Sequence, residues 1–147
     1  MPEEEYTVPI GVSDIKREGK DVTIVTYAQG LQVALEAAER LSQEHNIEAE
    51  IVDLRSLRAL DIGPVLESFK KTFKAVVVEE GYGTYGIGAE IIARTQEAGF
   101  DYLDAPIKRV AQLEAPLPYS RELEQMALIN AERVIEEHTT LGDDYRE

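Results

Sequence analysis

The stretch "VVVEEGYGTYGIGAEII", Val76 to Ile92, sets Gly81, Gly83 and Gly86 in the order G-x-G-x-x-G, the pattern of a dinucleotide-binding turn. Its first part belongs to the run "KAVVVEE", Lys74 to Glu80, apolar inside and charged at both ends. An uninterrupted run of that kind suits a central strand covered on both faces. From about Ile87 the spacing changes to a helical one, with Ile91, Ile92, Thr95 and Ala98 near one face. The unit therefore reads as strand, glycine-rich bend, helix.

The same alternation extends outward in both directions. "VTIVTY" (Val22–Tyr27) is a β-branched strand after the turn "EGKD". The helix that follows places Leu31, Ala34, Leu35, Ala38 and Leu41 on one face, with Glu36 and Arg40 on the wet face. "AEIVDL" (Ala49–Leu54) is a further strand. Asp61 is placed to cap a short helix that turns Ile62, Val65, Leu66 and Phe69 inward and tolerates Pro64 in its first turn. "PIKRVAQL" (Pro106–Leu113) supplies the fourth clear strand, and the loop "EAPLPYS" leads to a last helix that Asn130 can cap, carrying Val134 and Ile135. Ser13 to Arg17 adds an edge strand, and the final "TTLGDDYRE" is polar and frayed. Alternating strands and helices imply an α/β sandwich of three layers, α/β/α, with a mainly parallel sheet.

As a nucleotide site the glycine pattern is weak. The full fingerprint follows the first strand of its unit and has an acid near the end of the next strand, about 20 residues on. Here it follows the third clear strand, and Asp101 and Asp104 precede the strand they would have to end. Glu79 and Glu80 lead into the turn, with no Lys or Arg before Arg94. A helix N-terminus gives an anion about 0.3–1 kcal/mol, and about 2 when partly buried. One like charge at 4 Å costs about 4 kcal/mol at an effective dielectric of 20. Repulsion wins, so the glycines are expected to serve a tight turn and close packing.

Composition narrows the choices. The chain has 147 residues, enough for one domain with one core, and no cysteine, which removes disulfide and thiolate chemistry. A net charge of −14 disfavours nucleic acid and anionic membranes, and either favours a basic protein partner or serves solubility alone. No apolar run reaches the roughly 20 residues of a bilayer span. His45 and His138 are the only histidines, lack acids at metal-ligand spacing, and read as surface groups. No G-x-S-x-G elbow accompanies them. Arg55 and Arg58 are expected to pair locally with Asp53 and Asp61. Glu3, Glu4 and Glu5 read as a solvated run.

Several motifs in one order carry a resemblance: "VPIGVSDIKREGKDVTIVTY", "IVDLRSLRALD", "VVVEEG…GIGAEI", "FDYLDAPIKRV" and "PLPYSRELE". From about Glu5 to about Ile135 the chain resembles the C-terminal part of the beta subunits of thiamine-diphosphate-dependent 2-oxo acid dehydrogenases, pyruvate dehydrogenase type. The resemblance implies a transketolase C-terminal-type domain over residues 13–137, after an interdomain-type leader (1–12, with an added initiator Met) and before a polar tail (138–147). It implies an excised domain that holds no catalytic, cofactor or metal residue and is inactive alone. In the intact enzyme, thiamine diphosphate and Mg sit between the alpha subunit and the beta subunit's other domain. The partners it implies are that alpha subunit, a second beta subunit and the acyltransferase component. The Asp104 of "LDAP" matches a docking position for the acyltransferase's small basic domain, with Asp101 beside it; without the resemblance, Asp104 reads equally well as a turn cap before Pro106. Tyr85, Gly86, Ile87 and Tyr119 are the interface candidates. The implied location is the cytoplasm of a bacterium or archaeon, or the mitochondrial matrix or plastid of a eukaryote.

The chain departs from that family in three places. Tyr85-Gly86 stand where two adjacent glycines are common. The common Gly-Ala-Asp-x-Pro run is replaced around "AQLEAPLP", and the end runs on as "EEHTTLGDDYRE". The alternatives to the assembly domain are a stand-alone dinucleotide-binding domain using Gly81 to Gly86, and a non-catalytic interaction module of another family.

Overall fold

The computed structural model describes residues 6–140. The run Glu3–Glu5 and most of the polar end lie outside the described residues. In chain order the elements are β1 (Asp14–Arg17), β2 (Val22–Thr26), α1 (Gly30–His45), β3 (Ala49–Asp53), α2 (Gly63–Thr72), β4 (Ala75–Tyr82), α3 (Ile87–Gly99), β5 (Lys108–Gln112), α4 (Arg121–Ala127) and α5 (Ala131–Thr140). A 3-10 turn covers Phe100–Tyr102. The last helix runs three residues into the segment read as tail.

The sheet has the order β1-β3-β2-β4-β5. All neighbours run parallel except β1, which pairs antiparallel with β3 at the edge. Alternation along each strand divides the core into two layers. Val22, Ile24, Ile51, Val76, Val78 and Val110 meet α1 and α5 through Ala34, Ala38, Leu41, Val134 and Ile135. Val25, Val52 and Val77 meet α2 and α3 through Val65 and Ile91 on the other face. Burial of each such Val, Leu, Ile or Phe contributes about 1.5–3 kcal/mol. The three-layer sandwich is the architecture that the alternating strands and helices imply.

Details of the helices differ from the periodicity reading. In α1 the inward face is Gly30, Ala34, Ala37, Ala38 and Leu41, while Leu35 is exposed. Small residues let that helix lie close to the sheet, which rotates Leu35 outward. In α3 the buried residues are Gly88, Ile91, Thr95 and Gly99, the last packed toward Leu66 and Phe69, while Ala98 faces out. The helix α4 has no counterpart in the sequence reading. The expected cap at Asn130 forms, its Oδ1 accepting the Arg133 N–H at 3.0 Å. At α2 the N-cap residue is Ile62, and Asp61, one position before it, accepts the Gly63 N–H through Oδ1 at 3.1 Å. Asp61 also accepts the Ser13 N–H through Oδ2 at 3.1 Å, tying the segment just before β1 to the head of α2. Arg55 pairs with Asp14 at 2.5 Å instead of Asp53 or Asp61. Its positive φ of 54° turns the side chain back over β1, and Asp53 caps its N–H instead, at 3.0 Å.

Candidate functional site

The glycine-rich stretch joins β4 to α3 and is organised by Glu79. Strand alternation turns Glu79 to the α3 face with Val77 and turns Glu80 to the α1 face with Val78. The Glu79 side chain is 1% exposed. Its Oε2 accepts the N–H of Gly88, in the first turn of α3, at 2.9 Å. Gly86 is the N-cap residue and has no side chain to do so. Glu79 thus supplies from the neighbouring strand the oxygen that an N-cap Ser or Asp supplies locally. Its Oε1 faces Nε of Arg109 at 3.6 Å, an ion pair longer than a hydrogen bond.

Two of the glycines exist for this carboxylate. A Cβ on Gly86 would lie 2.6 Å from Glu79 Oε2 and 2.5 Å from the Tyr82 carbonyl oxygen. A Cβ on Gly88 would lie 2.5 Å from Glu79 Oε1 and 2.9 Å from Arg109 Cδ. Gly83 is looser, with Arg109 Nη2 at 3.4 Å, and Gly81 would meet nothing within 4 Å. The bend is not made by glycine torsions, because Tyr85 is its left-handed residue at φ 59°. The expected tight turn is present, but close approach rather than positive φ is what its glycines provide.

The turn does not fit a pyrophosphate. The first-turn amide that a phosphate would use already has an internal carboxylate. Displacing that group would bury it beside the incoming anion. Among the described residues, no group of three or more His, Cys, Asp or Glu could hold a metal ion.

A second tie anchors the bend to the loop after β5. Glu114 accepts the Thr84 N–H at 2.8 Å and the Thr84 hydroxyl as well. These bonds, with the Arg109 charge nearby, hold its carboxyl below the usual range. The Tyr82 hydroxyl donates to the Ala115 carbonyl at 3.2 Å, and the Leu113 N–H donates to the Ala127 carbonyl at 2.9 Å. The β4–α3 bend, the β5–α4 loop and α4 therefore form one continuous end. That end presents Leu117, Leu123 and Met126 exposed, with Tyr85 and Tyr119 projecting completely into solvent. Gly86 and Ile87, the other interface candidates, are half-buried in the same bend.

Asp101 and Asp104 are elsewhere. Both are exposed, and the Asp104 N–H donates to the carbonyl of Phe73, just before β4 begins. Tyr85 follows the other end of that strand. Eight residues at about 3.3 Å each separate the two ends by roughly 25 Å. The aspartates share their end with exposed Phe73, Phe100 and Tyr102, and Lys70 Nζ lies 5.7 Å from the Tyr102 ring centre. The six site candidates thus form two surfaces rather than one.

Sequence reading missed Arg109, Gly88, Glu114 and the buried Glu50. A signal was available for the first: Glu79 interrupts a run that should be covered on both faces, and an acid there needs a cation. Arg109, on the neighbouring strand, is paired in register with Val77 on the same face. Glu50, fully buried in β3, is met by Lys71 of α2 and by the Gly19 N–H at 3.2 Å. His138 is half-buried rather than on the surface, and its Nδ1 has no hydrogen-bond partner. Burial, then the Lys74 and His45 charges, pushes its pKa down against the opposing effect of Asp21.

Residues 11–134 match the family model described as Transketolase, C-terminal domain. The chain is 46% identical over 133 residues to the mitochondrial pyruvate dehydrogenase E1 component subunit beta of Dictyostelium discoideum, covering 90% of this chain and 37% of that one. It is 43% identical over 133 residues to the corresponding beta subunit of Rhizobium meliloti, covering 90% and 29%. A solved split-gene transketolase, an inactive beta4 tetramer, superposes with a TM-score of 0.77 at 26% identity, covering 93% of this chain and 43% of that one. The chain spans about a third of the length of the curated relatives it matches.

Proposed function

The chain belongs to the transketolase C-terminal domain family, and on that premise we propose that it is the subunit-interface and docking domain of a pyruvate dehydrogenase-type beta subunit. The observation that carries this reading is the apolar end built from Tyr85, Leu117, Tyr119, Leu123 and Met126, held in shape by the Thr84–Glu114 and Leu113–Ala127 bonds. Aromatic and aliphatic anchors on a fixed frame suit a surface covered by a neighbouring subunit. An alpha subunit and a second beta subunit are the neighbours proposed for it.

In the complete enzyme the reaction is oxidative decarboxylation of a 2-oxo acid, pyruvate in this reading, with transfer of the acyl group to lipoyl. Thiamine diphosphate and Mg belong to the other domains, in keeping with a glycine turn already filled by Glu79. No residue of this chain is assigned a chemical step, and the chain alone is inactive. Asp104 and Asp101, at the far end of β4, are the contacts for the basic domain of the acyltransferase component, helped by the net charge of −14.

Three measurements test this. Sedimentation with a pyruvate dehydrogenase alpha subunit gives a complex that the double variant Tyr85→Asp, Tyr119→Asp loses. Calorimetry with thiamine diphosphate on the chain alone gives no binding heat. Asp104→Lys weakens binding of the acyltransferase's basic domain. Micromolar thiamine diphosphate affinity, or assembly untouched by the double variant, rejects the reading.

A further inference from the structure

A mainly apolar cleft with one carboxylate, on the opposite side of the sheet from Glu79, has no role in that reading. Between β2 and β4 the chain connections diverge: β2 leads into α1 on one face, and β4 leads into α3 on the other. Crevices at such divergence points, outside the carboxyl ends of the strands, are where α/β sheets receive ligands. Here the crevice has a volume of about 310 Å³. Among the described residues Glu80 is the only ionisable group in its lining, and Gln29, Gln32 and Gln112 supply three primary amides. Val33, Leu128 and Ile129 form the apolar wall.

Charge and size select the occupant. Glu80 is half-buried, and no ion pair or hydrogen bond engages its carboxylate among the described residues. An unpaired carboxylate in a recess of a chain with net charge −14 excludes anions and attracts a cation. The volume is at the bottom of the range for ligand pockets, about 300–1,000 Å³, so it suits one side chain rather than a nucleotide. Three primary amides beside one carboxylate add further acceptors to the lining. A planar guanidinium with five N–H donors uses them better than an ammonium. The apolar wall suits the methylene stem.

We propose that this cleft receives an arginine side chain from a partner polypeptide, with its guanidinium on Glu80 and its stem against Leu128 and Ile129. This contact lies beside the apolar end, next to Leu113, and roughly a strand's length from Asp104. It is independent of the Asp104 assignment.

The probe is N-acetyl-arginine methylamide, titrated into the intact chain and followed by the side-chain amide signals of Gln29, Gln32 and Gln112. The expected result is saturable movement of these signals, weaker at high salt. Glu80→Gln, which keeps shape and hydrogen-bonding capacity, should weaken binding about tenfold, in line with loss of one charge-assisted pair. Glu122→Gln on α4, an acid outside the cleft, should leave it unchanged. Circular dichroism of both variants establishes that they fold. No saturable movement, equal binding by Glu80→Gln, or equal binding of the norleucine or lysine analogue overturns the proposal. The sedimentation and Asp104 tests above read the docking assignment separately.

Discussion

Replacing Gly88 by alanine decides whether the glycine-rich bend is built around Glu79. Alanine in place of glycine in a helix normally stabilises by up to about 1 kcal/mol. At Gly88 the added methyl would fall 2.5 Å from Glu79 Oε1 and 2.9 Å from Arg109 Cδ. A carboxylate at the end of a free side chain would swing aside at little cost. This one is 1% exposed and holds the Gly88 N–H at 2.9 Å, so moving it gives up the cap. Overpacking costs about 1–3 kcal/mol and loss of a cap about 1 kcal/mol. Set against the propensity gain, Gly88→Ala should destabilise by about 1–3 kcal/mol, which moves the urea midpoint down by roughly 1 M. Urea unfolding at pH 7 by circular dichroism measures it. In a Glu79→Ala background the carboxylate contact is gone, so the two changes should be non-additive by about 0.5–3 kcal/mol. A Gly88→Ala protein as stable as the parent, or additive with Glu79→Ala, would refute the packing argument.

Further expectations concern α5 and the bend. Asn130→Ala removes the bond from the Arg133 N–H and should cost about 1 kcal/mol, or 2–4 °C in Tm by calorimetry. His138 has a folded pKa below its ordinary 6.5, so protons bind the unfolded chain first. Stability should therefore be level above about pH 6.5 and fall as pH drops below it, a decline that His138→Leu reduces in urea titrations. Asp14, Glu48 and Glu114 are held below their ordinary values by Lys16, by Ser42 and by Thr84 respectively. Their contributions are present above pH 4.5 and vanish only at lower pH, so pH 5–6.5 isolates the histidine. Gly81→Ala, where a methyl meets nothing within 4 Å, should be tolerated to within about 0.5 kcal/mol.

The strands were readable because buried parallel strands are apolar end to end, and β2, β3 and β4 appear almost at their observed limits. The edge strand and the Asn130 cap were readable because their signals are local. What failed was anything that depends on how closely two elements approach. Leu35 has the spacing of a core residue, but alanines at 34, 37 and 38 bring α1 onto the sheet and leave no room for it. Arg55 has acids two and six residues distant, yet its backbone torsion points it at Asp14, 41 residues away. The polar α4 offers one buried residue, Ala127, and hence no periodic pattern. The site was legible in its parts and not in its arrangement. The glycines, the acids and the tyrosines stand out in the sequence, but the sense of Glu79 depends on Arg109, thirty positions further on.

A loop that grips a nucleotide stiffens only while the nucleotide is present, and its order follows the supply of that metabolite. Here the anion at the head of α3 is covalently part of the chain, so its local concentration is fixed and cannot be diluted. The bend that displays Tyr85 is consequently set at synthesis: starvation, dialysis or a competing phosphate leaves its contour alone.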